Sequence, residues 1–253
     1  MKIITEKLSI PQERPRLSRS RLIELLQRGM AAYSTTIISG RAGTGKTLLA
    51  ADFARQCGRR VAWYRVDAAD NDPRVFFQYL LESVRAQRPG FRFSLPETGP
   101  SLSEAEAQRL AEALAYALQE SAPAPLLMVV EDLHLIYDEE WVAHFFGRLI
   151  ALLPTDIHLL IVARSVPPTP LWRLRSKQAL LVMDESWLAF TLDEARELFV
   201  SYGLDDQAAL DPFMLCYGRA AMLDQIARQI SDSSQDTGAC TSVIRQYFSL
   251  PAA

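Results

Sequence analysis

The amino-acid sequence predicts an α/β fold, in which helices flank a parallel five-stranded β-sheet and a small helical subdomain follows. Strand-like and helix-like runs alternate over the first 184 residues, as in parallel strands joined by crossover helices. Two of the runs are almost wholly apolar, which is typical of strands buried on both faces. Beyond Asp184 the patterns are helical, with no convincing strand.

The predicted elements follow one another in a regular order. Strands are predicted at residues 34–39, 59–67, 124–134, 157–165 and 179–183. Helices are predicted at residues 18–29, 45–58, 72–87, 103–120, 138–153 and 191–203. Asp72-Pro73 gives the third helix an N-cap and a first-turn proline, and Thr191 with Glu194 forms a capping box for the last. The first helix is expected to end near Gly29.

Composition excludes several classes of protein. Of the 253 residues, 49% are hydrophobic, which is enough for a large packed core. The net charge of −3 provides no general basic field for nucleic acid. The three distant cysteines favour reduced thiols in a cytosol over a disulfide framework or a zinc site. Because no apolar run approaches the ~20 residues of a membrane span, we expect a cytoplasmic protein with no membrane partner.

The segment "GRAGTGKT", residues 40–47, matches the phosphate-binding pattern G-x-x-x-x-G-K-[ST] between a predicted strand and a predicted helix. Its glycines let backbone N–H groups turn toward an anion, and the helix N-terminus adds partial positive charge. Solvent-accessible Lys46 is expected to reach the β- and γ-phosphates, and the Thr47 hydroxyl to ligate Mg²⁺. The alternative is a glycine-rich turn with a surface lysine.

This pattern predicts ATP or ADP together with Mg²⁺ as cofactors. The predicted nucleotide-binding residues are Gly40, Arg41, Ala42, Gly43, Thr44, Gly45, Lys46, Thr47 and Leu48.

Two acids, Glu131 and Asp132, end a buried strand, where a P-loop protein needs carboxylates. One would hold the Mg²⁺ shell and the other would orient or deprotonate the attacking water. The alternative is an ordinary pair of strand-end acids at a helix N-cap. Nearby His134 is either a contact behind these acids or a structural histidine.

Arginines occupy two further candidate positions. Arg164 follows the next apolar strand, where a cation would face the γ-phosphate; the alternative is a surface ion pair. Arg19 and Arg21 precede the first strand, in a segment that touches adenine in related folds; the alternative is a pair of helix-surface arginines.

Several segments taken together resemble the N-terminal nucleotide-binding module of MalT-like, large LuxR-type ATP-dependent transcription regulators, which belong to the STAND class of signal-transduction P-loop ATPases. The resemblance runs from Lys7 through the end of the chain. It includes the P-loop and the segments "RSRLIELL", "VAWYRVDAADNDP", "VVEDLHLI", "VARSVPP", "LRSKQALL" and "LAFTLDEARELF".

The resemblance implies an AAA+/STAND-like P-loop NTPase fold and a role for each matching residue. Lys46 and Thr47 match the Walker A motif. Glu131 matches the first Walker B acid, at the metal with Thr47, and Asp132 the second, at the attacking water. Arg164 matches a catalytic-site arginine after the fourth core strand. Arg19 belongs to a nucleotide-recognition box that also includes Leu17 and Ser18.

Some residues depart from the family pattern. Arg41 replaces a usual Pro, which predicts an extra positive charge in the phosphate cradle. Leu48 replaces a frequent second Thr. Glu131 replaces the usual first Asp, which bears on hydrolysis more than on binding. After Gly218, Arg219 stands where a Trp is usual.

The resemblance implies a regulatory switch that binds ATP, hydrolyses it slowly, and uses the nucleotide state to control conformation and assembly. Its partners would be the nucleotide and either a second copy or a regulatory protein, with DNA contacted only through a C-terminal domain absent from this sequence. The alternative is a nucleotide-holding interaction module with little or no ATPase activity. A metabolic kinase is less expected, because no acceptor-substrate site is recognisable.

We expect three segments in the chain. Residues 1–184 form the nucleotide-binding α/β domain, residues 185–232 a helical lid subdomain, and residues 233–253 a linker with the start of a truncated domain. Because the chain stops inside an apparent helix, a fragment is favoured over a naturally short protein.

Overall fold

The computed structural model describes residues 3–96, 99, 101–121, 124–168 and 179–233, and within them it contains a five-stranded parallel β-sheet. The strands are β1 (Thr35–Ser39), β2 (Arg60–Arg65), β3 (Leu126–Glu131), β4 (Ile157–Ala163) and β5 (Leu180–Met183). Their order across the sheet is β2-β3-β4-β1-β5, and every neighbouring pair is parallel. The predicted fold class is therefore confirmed.

Helices connect and flank these strands. They are α1 (Ser20–Ala32), α2 (Lys46–Gln56), α3 (Pro73–Gln87), α4 (Glu104–Glu120), α5 (Glu140–Leu152), α6 (Glu185–Leu188), α7 (Leu192–Ser201), α8 (Leu210–Cys216) and α9 (Ala220–Ser233). Short 3-10 helices lie at Thr5–Leu8, Ala68–Asn71, Leu133–Ile136 and Asp206–Ala209. Both predicted caps are present: the side chain of Asp72 accepts from the N–H of Arg74, and Thr191 and Glu194 form the capping box.

The prediction for the first helix is wrong at its C-terminal end, because α1 continues past Gly29 to Ala32. Gly29 serves packing instead of termination. A Cβ atom at this position would lie 2.7 Å from Cδ2 of Leu181, so a larger residue would require the Leu181 side chain to shift.

The sheet is buried on both faces, as its apolar strands predicted. Along β3, Leu126, Met128 and Val130 pack with α3, α4 and α5, whereas Leu127 and Val129 pack with α1 and α2. The first of these cores is rich in edge-to-face aromatic contacts.

Helices α6 to α9, Glu185–Ser233, are called the helical segment below. The segment has a hydrophobic cluster of its own, built around Phe199, Leu223 and Ile226. The division of the chain into three domains stays a prediction, and the predicted linker and following domain lie outside the described residues from 234 onward. None of the described helices is both long and apolar enough to span a membrane.

The buried histidine of β4 should make stability depend on pH. Nδ1 of His158 lies 3.0 Å from the carbonyl oxygen of Tyr33, and Nε2 lies 3.0 Å from Oγ1 of Thr36. Burial lowers the pKa of His158 from 6.5 to about 4. Between these pH values the unfolded chain binds more protons than the folded chain, so the free energy of unfolding falls as the pH drops.

We expect His158 to account for a loss of about 2 kcal/mol in the free energy of unfolding between pH 7 and pH 5. Urea unfolding at both pH values measures this loss, which should be smaller in a His158→Gln variant. The matched control is His144→Gln, at a more exposed histidine. An equal loss in the wild type and in His158→Gln would contradict the prediction.

Candidate nucleotide-binding site

A cleft of about 440 Å³ opens at the carboxyl ends of the strands, between the sheet and the helical segment. Ligands of open α/β sheets bind at this edge. The predicted site residues that line the cleft are Arg19, Ala42, Gly43, Gly45, Lys46, Thr47, Leu48, Asp132 and Arg164. The predicted site residues beside or behind it are Gly40, Arg41, Thr44 and Glu131.

The loop between β1 and α2 has the backbone shape that its glycines predicted. Gly43 and Gly45 have φ angles of 80° and 84°, in the left-handed region that favours glycine. The backbone N–H groups of residues 42–45 donate to none of the residues that the structure describes. Unpaired N–H groups beside a helix N-terminus suit an anion such as phosphate.

Lys46 lines the cleft but is only 8% exposed, so the expectation of a solvent-accessible lysine is wrong. Its side chain is packed within the loop, where Nζ donates to the carbonyl oxygen of Arg41 at 2.8 Å and lies 3.5 Å from Oγ1 of Thr44. Burial is the main cause that lowers the pKa of Lys46; Asp132 opposes it and Arg164 adds to it. The carbonyl oxygen of Arg41 thus holds the amine within the loop between β1 and α2, which is called the phosphate loop below.

Thr47 and Glu131 meet below the loop. The hydroxyl of Thr47 donates to Oε1 of Glu131 at 2.5 Å, and Nε1 of Trp63 donates to Oε2 at 3.2 Å. Glu131 is 2% exposed, and burial raises the pKa of its carboxyl. The local sequence around Trp63 did not predict its contact with Glu131, because β2 and β3 become neighbours only in the folded sheet.

These oxygens fit Mg²⁺, which in nucleotide sites takes one or two protein oxygens and completes its shell with phosphate and water. Within the described parts of the chain, no cluster of three His, Cys, Asp or Glu residues could hold a metal without the nucleotide.

Asp132 departs from the strand that Glu131 ends. Its φ angle of 57° is left-handed, which is sparsely populated outside glycine and persists at positions that the surrounding structure fixes. Its N–H donates to the carbonyl oxygen of Val162 at 2.8 Å, which ties the turn to β4. Asp132 lines the cleft and Glu131 lies beneath it, so the adjacent acids occupy different environments.

Arg164 follows β4 and lines the cleft. It is exposed, and among the described residues it makes no hydrogen bond or ion pair. The alternative of a surface ion pair is therefore not seen in this part of the chain, and the guanidinium remains available to an anion.

Arg19 is not a helix-surface arginine. The residue is 7% exposed, and its guanidinium donates to the carbonyl oxygens of Leu188 and Ala189 at 2.7 and 2.9 Å. It also forms an ion pair with Glu194 at 2.9 Å, which Arg21 joins from the more exposed side at 3.3 Å. Arg19 lines the cleft, but its hydrogen bonds tie the start of α1 to the helical segment.

Arg41 does not add positive charge to the cradle, contrary to the expectation. Its guanidinium forms an ion pair with Glu185 at 2.7 Å, and its backbone N–H donates to the same carboxylate at 3.2 Å. Hydrogen bonds from Arg41 hold the pKa of Glu185 at about 2. The pair lies in a neighbouring groove outside the cleft, because the start of α6 approaches the outer side of the loop.

The helical segment touches the phosphate loop directly. Arg219 donates through Nη2 to the carbonyl oxygen of Ala42 at 2.8 Å, and the N–H of Ala221 donates to the carbonyl oxygen of Gly43 at 3.0 Å. A Cβ atom at Gly43 would lie 3.2 Å from that of Ala221. Arg219 stands where the family pattern usually has Trp, but this departure did not predict the contact between Arg219 and the loop.

The far end of the cleft has mainly apolar walls with two carboxylates. Leu49 and Asp52 come from α2, Phe190 precedes α7, and Leu198 and Asp224 come from α7 and α9. The apolar side chains among them suit a flat nucleotide base, which could lie between them. No sequence signal marked them, because they come from distant parts of the chain.

Comparison with known proteins identifies related sequences. The AAA ATPase domain family matches residues 16–162. The HTH-type transcriptional regulator MalT of Serratia proteamaculans is 31% identical over 249 residues, which are 93% of this chain and 26% of that protein. MalT of Cronobacter sakazakii is 32% identical over 205 residues, 78% of this chain and 22% of that protein. The chain spans about a quarter of the length of these curated relatives.

Solved structures share the fold at low sequence identity. The Drosophila ORC bound to DNA matches with a TM-score of 0.55 and 12% identity, over 97% of this chain and 65% of that chain. A signal transduction ATPase with numerous domains (STAND) and a tetratricopeptide repeat sensor, from Pyrococcus horikoshii, matches with a TM-score of 0.51 and 17% identity, over 97% of this chain and 34% of that chain. These likenesses concern the fold alone.

Proposed function

This chain belongs to the AAA ATPase domain family, and from that premise we propose that it is the ATP-binding, slowly hydrolysing switch module of a MalT-like signal-transduction ATPase. Its similarity to MalT regulators over 93% of its length agrees with the resemblance found in the sequence. In this proposal the nucleotide state controls the conformation and assembly of the protein. Any contact with DNA would belong to a part of the protein outside this chain. A cytoplasmic location is part of the same proposal.

One observation carries the proposal: a single cleft contains the phosphate loop, the Thr47 hydroxyl, the Asp132 carboxylate and four cationic side chains, of which two have a proposed role at the phosphates. Lys46 and Arg164 are those two cations, and unpaired backbone N–H groups lie beside them. This combination of donors suits a triphosphate better than any neutral ligand.

Each residue has a role in the proposed reaction. Thr47 and Glu131 would hold Mg²⁺, which neutralises phosphate charge when bound. Lys46 binds the β- and γ-phosphates and Arg164 stabilises negative charge at the γ-phosphate, because both line the cleft, Lys46 at the start of α2 and Arg164 directly after β4. Asp132 orients the attacking water and accepts its proton, since its partly exposed carboxylate faces the cleft.

The surroundings of the Asp132 carboxylate favour the alternative, a module that holds nucleotide with little or no ATPase activity. Among the described residues, no group donates a hydrogen bond to the Asp132 carboxylate. A carboxylate with no fixed orientation would position water poorly. If that state persists with nucleotide bound, the protein would hold ATP with little turnover.

The helical segment is proposed as the moving part of the switch. Arg219 and Ala221 contact the same loop that would bind the phosphates, and Arg19 joins the segment to α1. A ligand can move such an equilibrium only through different contacts in the two states. The γ-phosphate gives Arg164 an anionic partner that ADP does not offer, so Arg164 is the proposed reporter.

We expect distances between the sheet and the helical segment to differ between ADP and a non-hydrolysable ATP analogue with Mg²⁺. Spin labels at Tyr116→Cys and Val200→Cys, in a protein whose native cysteines are replaced by serine, would measure them, because both side chains are exposed, one on α4 and the other on α7. Labels at Ile4→Cys and Tyr116→Cys provide a control pair away from the helical segment. Arg164→Ala should abolish the difference between the nucleotides.

The bound nucleotide and the turnover rate should be measured in the same samples. Identical distance distributions at saturating nucleotide would rule out the switch and leave a rigid binding module. Binding without measurable turnover would favour the nucleotide-holding alternative.

A further inference from the structure

Two donors from the helical segment hold successive carbonyl oxygens of the phosphate loop. Nη2 of Arg219 donates to the carbonyl oxygen of Ala42 at 2.8 Å, and the N–H of Ala221 donates to that of Gly43 at 3.0 Å. No other described residue donates to either oxygen. The orientation of these two peptide groups therefore depends on the helical segment.

The same contacts set the direction of two N–H groups. In a planar trans peptide, the carbonyl oxygen of one residue and the N–H of the next point in opposite directions. An Ala42 oxygen held toward Arg219 thus turns the N–H of Gly43 away from the helical segment, and a Gly43 oxygen held toward Ala221 does the same for Thr44. Successive N–H groups beside a left-handed residue, here Gly43 with a φ of 80°, form a concave site for an anion.

Arg219 is held in place for its contact with the loop. Its N–H donates to the carbonyl oxygen of Cys216 at 3.0 Å, and a Cβ atom at the preceding Gly218 would lie 2.5 Å from the carbonyl oxygen of Phe190. The guanidinium packs against Gly43, where a Cβ atom would lie 3.8 Å from Nε of Arg219. Arg219 lines the groove outside the cleft and not the cleft itself, so it acts on the loop from the outer side.

Three successive carbonyl oxygens of the loop have separate donors. That of Arg41 accepts from Nζ of Lys46 at 2.8 Å, within the loop, whereas those of residues 42 and 43 accept from the helical segment. The other cation that lines the groove, the guanidinium of Arg41, is paired with Glu185 at 2.7 Å. It therefore does not replace Arg219.

We propose that Arg219 is a positioning residue for phosphate binding, which acts through the Ala42 carbonyl and fixes the N–H of Gly43 toward the phosphates. Because Gly43 has no Cβ atom, the peptide group between Ala42 and Gly43 can rotate once Arg219 is removed. A rotated peptide presents its carbonyl oxygen to an anion instead of its N–H. This inference rests on the proposed function of the cleft, and it gives the helical segment direct control over phosphate affinity.

Calorimetry with ATP and with ADP, each with Mg²⁺, measures the effect. Backbone N–H groups of such loops cradle the α- and β-phosphates, which both nucleotides carry. Arg219→Met keeps the side-chain stem without its donors, and it should weaken both nucleotides by the same factor, roughly 10-fold. Arg219→Lys should recover part of this loss. Arg196→Met, at an arginine of α7 outside the cleft and the groove, is the matched control and should leave both affinities unchanged.

Amide NMR locates the effect within the loop. In the wild type with Mg²⁺ and ADP, we expect the N–H signals of Gly43 and Thr44 to move downfield, because both donate to an anion. In Arg219→Met the shift of Gly43 should shrink, whereas that of Thr44, whose peptide Ala221 still holds, should remain. Equal loss of both shifts would indicate general damage to the loop and would overturn the proposal.

The remaining outcomes separate this inference from the proposed function. A loss of affinity for ATP alone would mean that Arg219 contacts the γ-phosphate itself, which contradicts a positioning role. Unchanged affinities in Arg219→Met would also contradict it, and so would a Gly43 signal that does not move in a wild type shown by calorimetry to bind ADP. The wild-type spectrum and Arg219→Lys keep the test decisive if urea unfolding shows that Arg219→Met does not fold. Failure of the wild type to bind either nucleotide would overturn the proposed function together with this inference.

Discussion

Replacing Lys46 with alanine is expected to weaken ATP binding roughly 10- to 100-fold while the protein stays folded. Hydrogen bonds to charged groups are worth about 1.5–3 kcal/mol, and each 1.4 kcal/mol is about tenfold in affinity. The fold should survive because the Thr44 hydroxyl also donates to the carbonyl oxygen of Arg41, at 2.9 Å. That oxygen therefore keeps a partner when the amine is removed.

Isothermal titration with ATP and Mg²⁺ measures this effect, and urea unfolding checks the fold. The matched control is Arg41→Ala, which removes a cation from the same loop. Its guanidinium is paired with Glu185 outside the cleft, so ATP affinity should change little. Unchanged affinity in a folded Lys46→Ala variant would remove the proposal of a phosphate-binding loop.

The second large effect is expected at Asp132. Asp132→Asn should retain ATP binding and lose turnover roughly 100-fold or more, because an amide cannot accept the proton of the attacking water. Its stability should change little, since the carboxylate is partly exposed and accepts no hydrogen bond from the described residues.

Glu131→Gln tests the other half of the proposed division of roles. We expect it to raise the Mg²⁺ concentration needed for ATP binding. It should also lower stability, because Thr47 and Trp63 each donate to one carboxylate oxygen and an amide offers only one acceptor. Titrations at several Mg²⁺ concentrations, with urea unfolding of both variants, separate metal binding from stability. Equal and purely structural damage from Asp132→Asn and Glu131→Gln would contradict the division.

The candidate site could be predicted from the sequence where its chemistry is local. Residues 40–47 are consecutive, and Glu131 and Asp132 are neighbours at the end of one apolar run. Their grouping in space follows from the parallel sheet, because strands joined by crossover helices have their carboxyl ends at one edge. The adjacent acids of β3 and Arg164 after β4 meet the loop for this reason.

The sequence by itself therefore determined the alternation of strands and helices, the left-handed glycines of the loop and the chemistry at the strand ends. These depend on local periodicity and on the backbone freedom of individual residues. Tertiary structure alone decided which distant groups meet: Arg41 with Glu185, Arg19 with the carbonyl oxygens at the C-terminal end of α6, and Arg219 with the phosphate loop. A guanidinium can bind almost any oxygen, so its partner is set by which elements pack beside it, and no local pattern records that packing.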